Sequence, residues 1–278
     1  AHIKTEGTLE AARLIVNGWD VADMLATMQA NITTLSAAVG SGGGGLDTAA
    51  LVGPVSDGLI FYSNMESVSG DLLTDLSGEG NHGNILGGNA PALRLEGVAG
   101  GKCMRFQSGD SYVRLPAATI VEGSNPRTIC FYIKKDPNTP LSGENYAFGF
   151  GQDANGRTFN ARFGGDKFGF MGHARDHDND GHAKVVADVW THACYQYTAQ
   201  GKVVSFVADR QNWAHELALD TCGPSDSSGC SNHRAFISAH DSYDWGPEKG
   251  LNAYLDEFRI YDRVLSAAEM REVRCTPF

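Results

Sequence analysis

No stretch of this 278-residue chain concentrates Lys or Arg, no run of about 18 apolar residues occurs, and no Ser sits in a Gly-x-Ser-x-Gly turn. Basic residues number 22 against 33 acidic ones, so the formal net charge is −11 and the sequence pI is near 5.2. Nucleic acid and anionic membrane surfaces are poor partners for such a chain, and nothing in it is expected to insert into a bilayer. The first residues, "AHIKTEG", lack an apolar signal core. A leading Ala is what removal of a signal peptide would leave, and secretion is the expectation.

Cysteine, by contrast, is present as an even set: Cys103, Cys130, Cys194, Cys222, Cys230 and Cys275. These lack the short paired spacings of a zinc ribbon, and several lie in strand-like runs such as "GKCMRF", "TICFYIK" and "THACYQY". An oxidising compartment and disulfides follow, the alternative being six buried thiols. The turn-rich loop "CGPSDSSGC" brings its own ends together, which pairs Cys222 with Cys230. Cys130 with Cys194, on two core strands, and Cys103 with Cys275 follow by elimination. Asn31-Ile32-Thr33 is an N-glycosylation sequon.

Residues 1–40 alone show sustained helical character; 41–55 are a Gly, Ser and Ala linker, and 56–278 are short strand-like runs between turns. In the first segment Val21, Leu25, Met28, Ile32, Leu35 and Val39 alternate steps of four and three, the spacing of a heptad seam. Asp20 is placed as the N-cap and "GSGGGG" ends the helix, giving an arm roughly 30 Å long. Upstream, "TLEAARLIVNGW" reads equally as a helical turn or as a strand closed by Asn-Gly. So short a seam needs a partner, either its own body or other copies of the chain. A glycine tether favours other copies, since a helix fixed on its own body has little use for one.

Past the linker, "DLSGEGNHGN", "EGSNP", "DPNTP", "QDANGR", "HDNDG" and "GPSDSSG" punctuate runs such as "GLIFYS", "TICFYIK", "FGFMGHA", "VVSFVAD" and "YLDEFRIY". Many short strands at this spacing predict an all-β sandwich. A short C-terminal helix is expected in "LSAAEMREV", with Ser266 as N-cap and Glu269 at the capping-box position.

Over residues 57–275 the chain resembles the laminin-G-like jelly-roll domains of the concanavalin A-like lectin and glucanase superfamily. The resemblance is carried by "LIFYSNM", "DLSGEGNHGN", "GVAGGKCMRFQSGDSYVRLP", "RTICFYIK", "WTHACYQYTAQGK" and "YLDEFRIYDRVLSAAEM". Two family features depart: Ala253 stands where a glycine is usual before the closing strand, and Asp209-Arg210 where Asp-Gly is expected. The resemblance implies an antiparallel jelly-roll β-sandwich, here with an N-terminal amphipathic helix on a Gly-rich linker added. It hosts lectins, adhesive modules and enzymes alike. Enzymatic members carry a Glu-x-Asp-x-x-Glu strand, which has no counterpart here; Asp256 and Glu257 are expected on opposite strand faces.

Two places suit calcium. In "DHDNDGH", Asp176, Asp178 and Asp180 alternate as in a calcium loop, but Ala187 at the twelfth position excludes an EF-hand and leaves a looser oxygen cage or a solvated hairpin tip. The resemblance also implies a structural calcium at Asp256, with Asn64, Glu66 or Asp75 from the opening segment, the alternative being that Asp256 caps a neighbouring loop by hydrogen bonds. For glycan, Tyr243, Trp245 and Trp213 stand beside Asp and Asn residues, aromatic faces to stack on a sugar ring and polar groups for its hydroxyls, the alternative being core plugs at the sandwich ends. The first reading is a secreted, non-catalytic structural or adhesive subunit that self-assembles through the arm as a filament, fibre or small homo-oligomer. A calcium-dependent lectin-like module clustered by the arm comes second, and a glycoside hydrolase last.

Overall fold

The computed structural model describes residues 15–16, 19–20, 55–87, 91–94, 96–98, 100–107, 111–137, 144–152, 154–164, 166–173, 176, 183–208, 210–225, 234–242, 246–248 and 250–275. The chain divides into two compact units, residues 1–51 and 52–278. In the first, β1 (Ile15–Val16) and β2 (Trp19–Asp20) pair antiparallel, Val16 opposite Trp19. Two residues of sequence separate that pair, which favours the strand reading of "TLEAARLIVNGW" over the helical turn. The seam residues 21–39 and the sequon at Asn31 lie outside the described residues.

The second unit is a sandwich. Its strands are β3 (Leu59–Ser63), β4 (Val68–Ser69), β5 (Leu72–Leu73), β6 (Gly83–Leu86), β7 (Ala92–Arg94), β8 (Cys103–Arg105) and β9 (Tyr112–Leu115), then β10 (Arg127–Lys135), β11 (Glu144–Gly151), β12 (Thr158–Gly164) and β13 (Lys167–Met171). There follow β14 (Thr191–Tyr197), β15 (Lys202–Val207), β16 (Arg210–Glu216), β17 (Arg234–Ile237), β18 (His240–Ser242), β19 (Gly246–Glu248) and β20 (Ala253–Tyr261). Sheet I runs β16-β15-β14-β10-β20-β8-β7 with β3 also on β20; sheet II runs β13-β12-β11-β17-β9-β6-β5-β4. The chain passes from sheet II at β9 to sheet I at β10, back at β11, over again at β14, and returns through β17 to β20. This is an antiparallel jelly roll.

Alternation places the core. In β10, Ile129, Phe131 and Ile133 turn inward, while in sheet II Phe148, Phe159, Ala161, Ile237 and Val113 meet them. Phe131 stacks between Tyr195 at 6.2 Å and Phe258 at 5.8 Å, and Phe148 from the other sheet stands edge-on to it at 6.1 Å. Trp213, expected as a sugar platform, belongs to this core: it is 6% exposed and stands edge-on to Tyr195 and Phe170. Its inward register on β16 spends the ring on packing.

The C-terminal helix forms as its capping box predicts. In α1 (Ala267–Cys275), Glu269 N donates to Ser266 Oγ at 3.2 Å, and Ser266 N donates to Glu269 Oε2 at 2.7 Å. A hydrogen bond from Arg263 and these cap bonds hold the Glu269 carboxyl down to about 2. Met270 and Val273 pack with Cys130, Cys194, Tyr261 and Leu265 against the outside of sheet I. Ser266→Ala is expected to lower stability by about 1 kcal/mol, read from denaturant unfolding.

Cys130 and Cys194 form a disulfide, directly opposite each other on β10 and β14. Cys222 is also disulfide-bonded, and its expected partner Cys230 lies outside the described residues. The Cys103–Cys275 bridge does not form. Cys103 is buried on β8, beside β7 and the start of β20, whereas Cys275 ends a helix packed on the finish of β20. Elimination failed because it assumed that every cysteine is oxidised.

Candidate functional site

Closing strand β20 does not keep its alternation. Leu255 and Phe258 both enter the core, and between them the register slips opposite Cys130–Tyr132 while Glu257 takes φ of 51°. This bulge turns both Asp256 and Glu257 away from the core, correcting the expectation of opposite faces. Glu257 Oε2 accepts from Tyr62 Oη at 3.0 Å and from the Arg259 guanidinium at 2.7 Å, and that guanidinium lies 4.4 Å from the Tyr62 ring centre. All three side chains are buried.

Asp256 has no such cation. Its Oδ2 accepts from Val98 N at 2.8 Å and its Oδ1 from Glu257 N at 2.9 Å, at 3% exposure. Burial pushes its carboxyl up to about 8; the Val98 bond opposes this, and the charges of Glu257 and Glu66 add to it. Of the oxygens expected to join it, Asn64 Oδ1 accepts from Glu66 N and Ser67 N. Asp75 ties its own loop to β3, accepting from Tyr62 N of that strand and from Ser77 N, Ser77 Oγ and Asn81 N. That leaves Glu66, whose Oε2 accepts from Lys102 N at 3.2 Å. Each oxygen of Asp256 thus accepts one backbone N–H, capping the neighbouring loop, and Glu66 is a second acid near it.

The sign of the pH effect follows. Asp256 ionises around 3.8 in the unfolded chain and about 8 when folded, so the folded state binds its proton more tightly. The stability this lends is complete below about 3.8 and lost as pH rises toward 8. Melting of metal-free protein is therefore expected to fall more steeply between those values for the wild type than for Asp256→Asn.

In the second calcium candidate, Asp176 Oδ1 accepts from Gly172 N at 3.1 Å; Asp178 and Asp180 lie outside the described residues.

Sheet II turns a second face away from the core. One row crosses it strand by strand: Met171, Asn160, Gly149, Phe236, Arg114, Asn84 and Leu72. Strand β18 lies over the row's middle, where a Cβ on Gly149 would come 2.6 Å from His240 Cα and 2.7 Å from Ala239 O, so only glycine fits. On one side of that strap, Tyr146 packs on His240 at 4.2 Å, and Asn160 Nδ2 is buried with no hydrogen-bond partner. The other side is open. Arg114 and Asn84 are exposed, Leu72 and Leu86 are 37% and 38% exposed, and half-buried Tyr112 stands edge-on to Phe236 at 5.6 Å. Tyr243 and Trp245, between the paired residues Ser242 and Gly246 of β18 and β19, lie outside the described residues. Sequence reasoning passed over this open surface, although "YVRLP" carries its signal: Val113 and Leu115 are core, so Tyr112 and Arg114 must face out.

A family model of the laminin-G type, described as the concanavalin A-like lectin/glucanases superfamily, matches residues 107–271. The chain belongs to this superfamily. A comparison with curated protein sequences finds no match. Among solved structures, domain 4 of AbnA, a GH43 extracellular arabinanase from Geobacillus stearothermophilus, in complex with arabinotriose, is similar at 18% identity and TM-score 0.58, covering 77% of this chain and 97% of that one. The binding domain of botulinum neurotoxin serotype D is 13% identical over 79% of this chain and 52% of its own, with a TM-score of 0.54. Trypanosoma rangeli sialidase in complex with sialic acid is 13% identical at TM-score 0.54, this chain spanning 33% of it. At these identities the likeness is one of fold.

Proposed function

We propose that this superfamily member is an extracellular, non-catalytic adhesive subunit whose jelly-roll body binds a glycan or glycoprotein on the open half of sheet II's outer face. The observation that carries this reading is the exposed group of Tyr112, Arg114, Asn84, Leu72 and Leu86. It joins an aromatic edge and aliphatic surface to hydrogen-bond donors and acceptors, the mixture that sugar rings and hydroxyls require. Domain 4 of AbnA, similar in fold, has been solved in complex with arabinotriose, which fits the same reading. A glycan array run with and without calcium tests it; calcium at Asp256 and Glu66 would brace the Gly97–Lys102 loop.

The arm supplies valency in this reading. Residues 1–51 form a unit distinct from the body, and the apolar seam in the sequence needs a partner. Copies joined there present several weak glycan sites at once, gaining avidity. Sizing with and without residues 1–45 tests the arm: loss of assembly on truncation supports it, an unchanged size counts against it.

A further inference from the structure

Four arginines of the body each meet a carboxylate: Arg105 pairs with Asp136, Arg157 with Asp220, Arg259 with Glu257 and Arg263 with Glu269. Arg114 pairs with none among the described residues, although it stands exposed on the open half of sheet II. The residues that β4, β5, β6 and β9 turn outward there are Ser69, Leu72, Asn84, Leu86, Tyr112 and Arg114, and of these Arg114 is the one charged side chain. Asn84 lies directly opposite it on β6, a cross-strand neighbour about 5 Å away between Cβ atoms. Tyr112 precedes it by two residues on the same face, about 7 Å along the strand, with Leu86 opposite. On the other flank its cross-strand neighbour is Phe236 of β17, which is buried and brings no competing acceptor.

We propose that this face selects an acidic glycan, one sugar carboxylate docking on the Arg114 guanidinium while the ring lies along Tyr112 and Leu86. The inference rests on the reading of this face as a glycan site and names its ligand class. A guanidinium is a planar fork that meets a carboxylate with two parallel hydrogen bonds, and the Asn84 amide adds a donor and an acceptor beside it. A single cation suits a single carboxylate; a densely sulfated chain would call for a cluster of basic side chains, which these six residues do not provide. Only water has to leave the fork, because no acid among the described residues occupies it. The chain's net charge of −11 does not oppose the contact. Exposed charges more than about 8 Å away are largely screened at physiological salt, whereas the carboxylate and guanidinium meet within hydrogen-bond reach.

The test titrates the full chain with two acidic glycans, trigalacturonic acid and sialyllactose, each against its own carboxyl-reduced form, in which a hydroxymethyl group replaces every carboxylate. The two arms separate uronic from sialic acids as the source of the carboxylate. In at least one arm the acid is expected to bind about ten- to a hundredfold more tightly than its reduced form, the range of a charged, two-point hydrogen bond. Arg114→Gln is expected to erase that ratio, and Arg114→Lys to keep only part of it, because an ammonium cannot form the fork. Both substitutions fall on an exposed side chain, and an unchanged melting temperature checks that the body is intact. Equal affinity of wild type for an acid and its reduced form in both arms would overturn the acidic-glycan inference while leaving the glycan reading in place. A ratio that survives Arg114→Gln would overturn it too, since the carboxylate would then be read elsewhere. If none of the four sugars binds, the glycan reading and this inference fall together.

Discussion

Replacing Phe148 with alanine is expected to lower the stability of the body by about 4 kcal/mol, within the range for deleting a fully buried phenyl ring. Phe148 is not exposed at all and stands edge-on to Phe131, Tyr195 and Phe258, the aromatic rings through which sheet II grips sheet I. Its loss removes transfer energy and leaves a cavity between two sheets whose strands are locked in register, so collapse can recover little. Chemical denaturation read by tryptophan fluorescence checks it, since Trp213 reports on the same core. Leu72→Ala, on the open face, is expected to change stability by no more than about 0.5 kcal/mol. A loss below about 1 kcal/mol at Phe148 would mean that the sheets do not meet there.

Glu257→Ala is expected to cost about 3–5 kcal/mol, because it takes the paired carboxylate from a buried guanidinium. The carboxylate takes bonds from both Tyr62 and Arg259, and the Arg259 and Glu257 side chains are only 4% and 2% exposed. Removing both charges in Glu257→Leu/Arg259→Leu is expected to restore much of the loss, since a matched apolar pair carries no desolvation debt. The contrasting pair is Arg263 with Glu269, 26% and 30% exposed, where a single substitution is expected to cost about 1 kcal/mol or less. A double-mutant cycle measured by urea unfolding separates the two cases. If the single and double variants at 257 and 259 are equally unstable, packing rather than the charge pair holds this region.

Much of the body was legible because alternation and capping are local. The strand runs, the Ser266–Glu269 box and the cross-strand Cys130–Cys194 pair are all written in residues a few positions apart or in matching core patterns. What was not legible depended on neighbours far along the chain. Trp213 stayed open between sugar platform and core plug because only the sheet's register shows that it points inward. Asp75 resembled a ligand because the sequence does not show that strand β3 supplies Tyr62 N to its carboxylate, beside the three donors Ser77 N, Ser77 Oγ and Asn81 N of its own loop. The Glu257 bulge, which puts two acids on one face, needs the mismatch between β10 and β20 to exist at all. Likewise the open half of sheet II emerges only when Arg114, Asn84 and Leu72 are seen to be neighbours across three strands.

Binding on that face is the most direct point of attack. The measurement is a glycan array with the intact protein, followed by titration of the strongest ligand against wild type, Tyr112→Ala and Arg114→Ala, with Ser266→Ala as a control far from the face. Loss of binding in the two face variants, with the control unchanged and all proteins folded, is the predicted result. Undiminished binding in both face variants, or no glycan bound by the wild type at any calcium concentration, would contradict it.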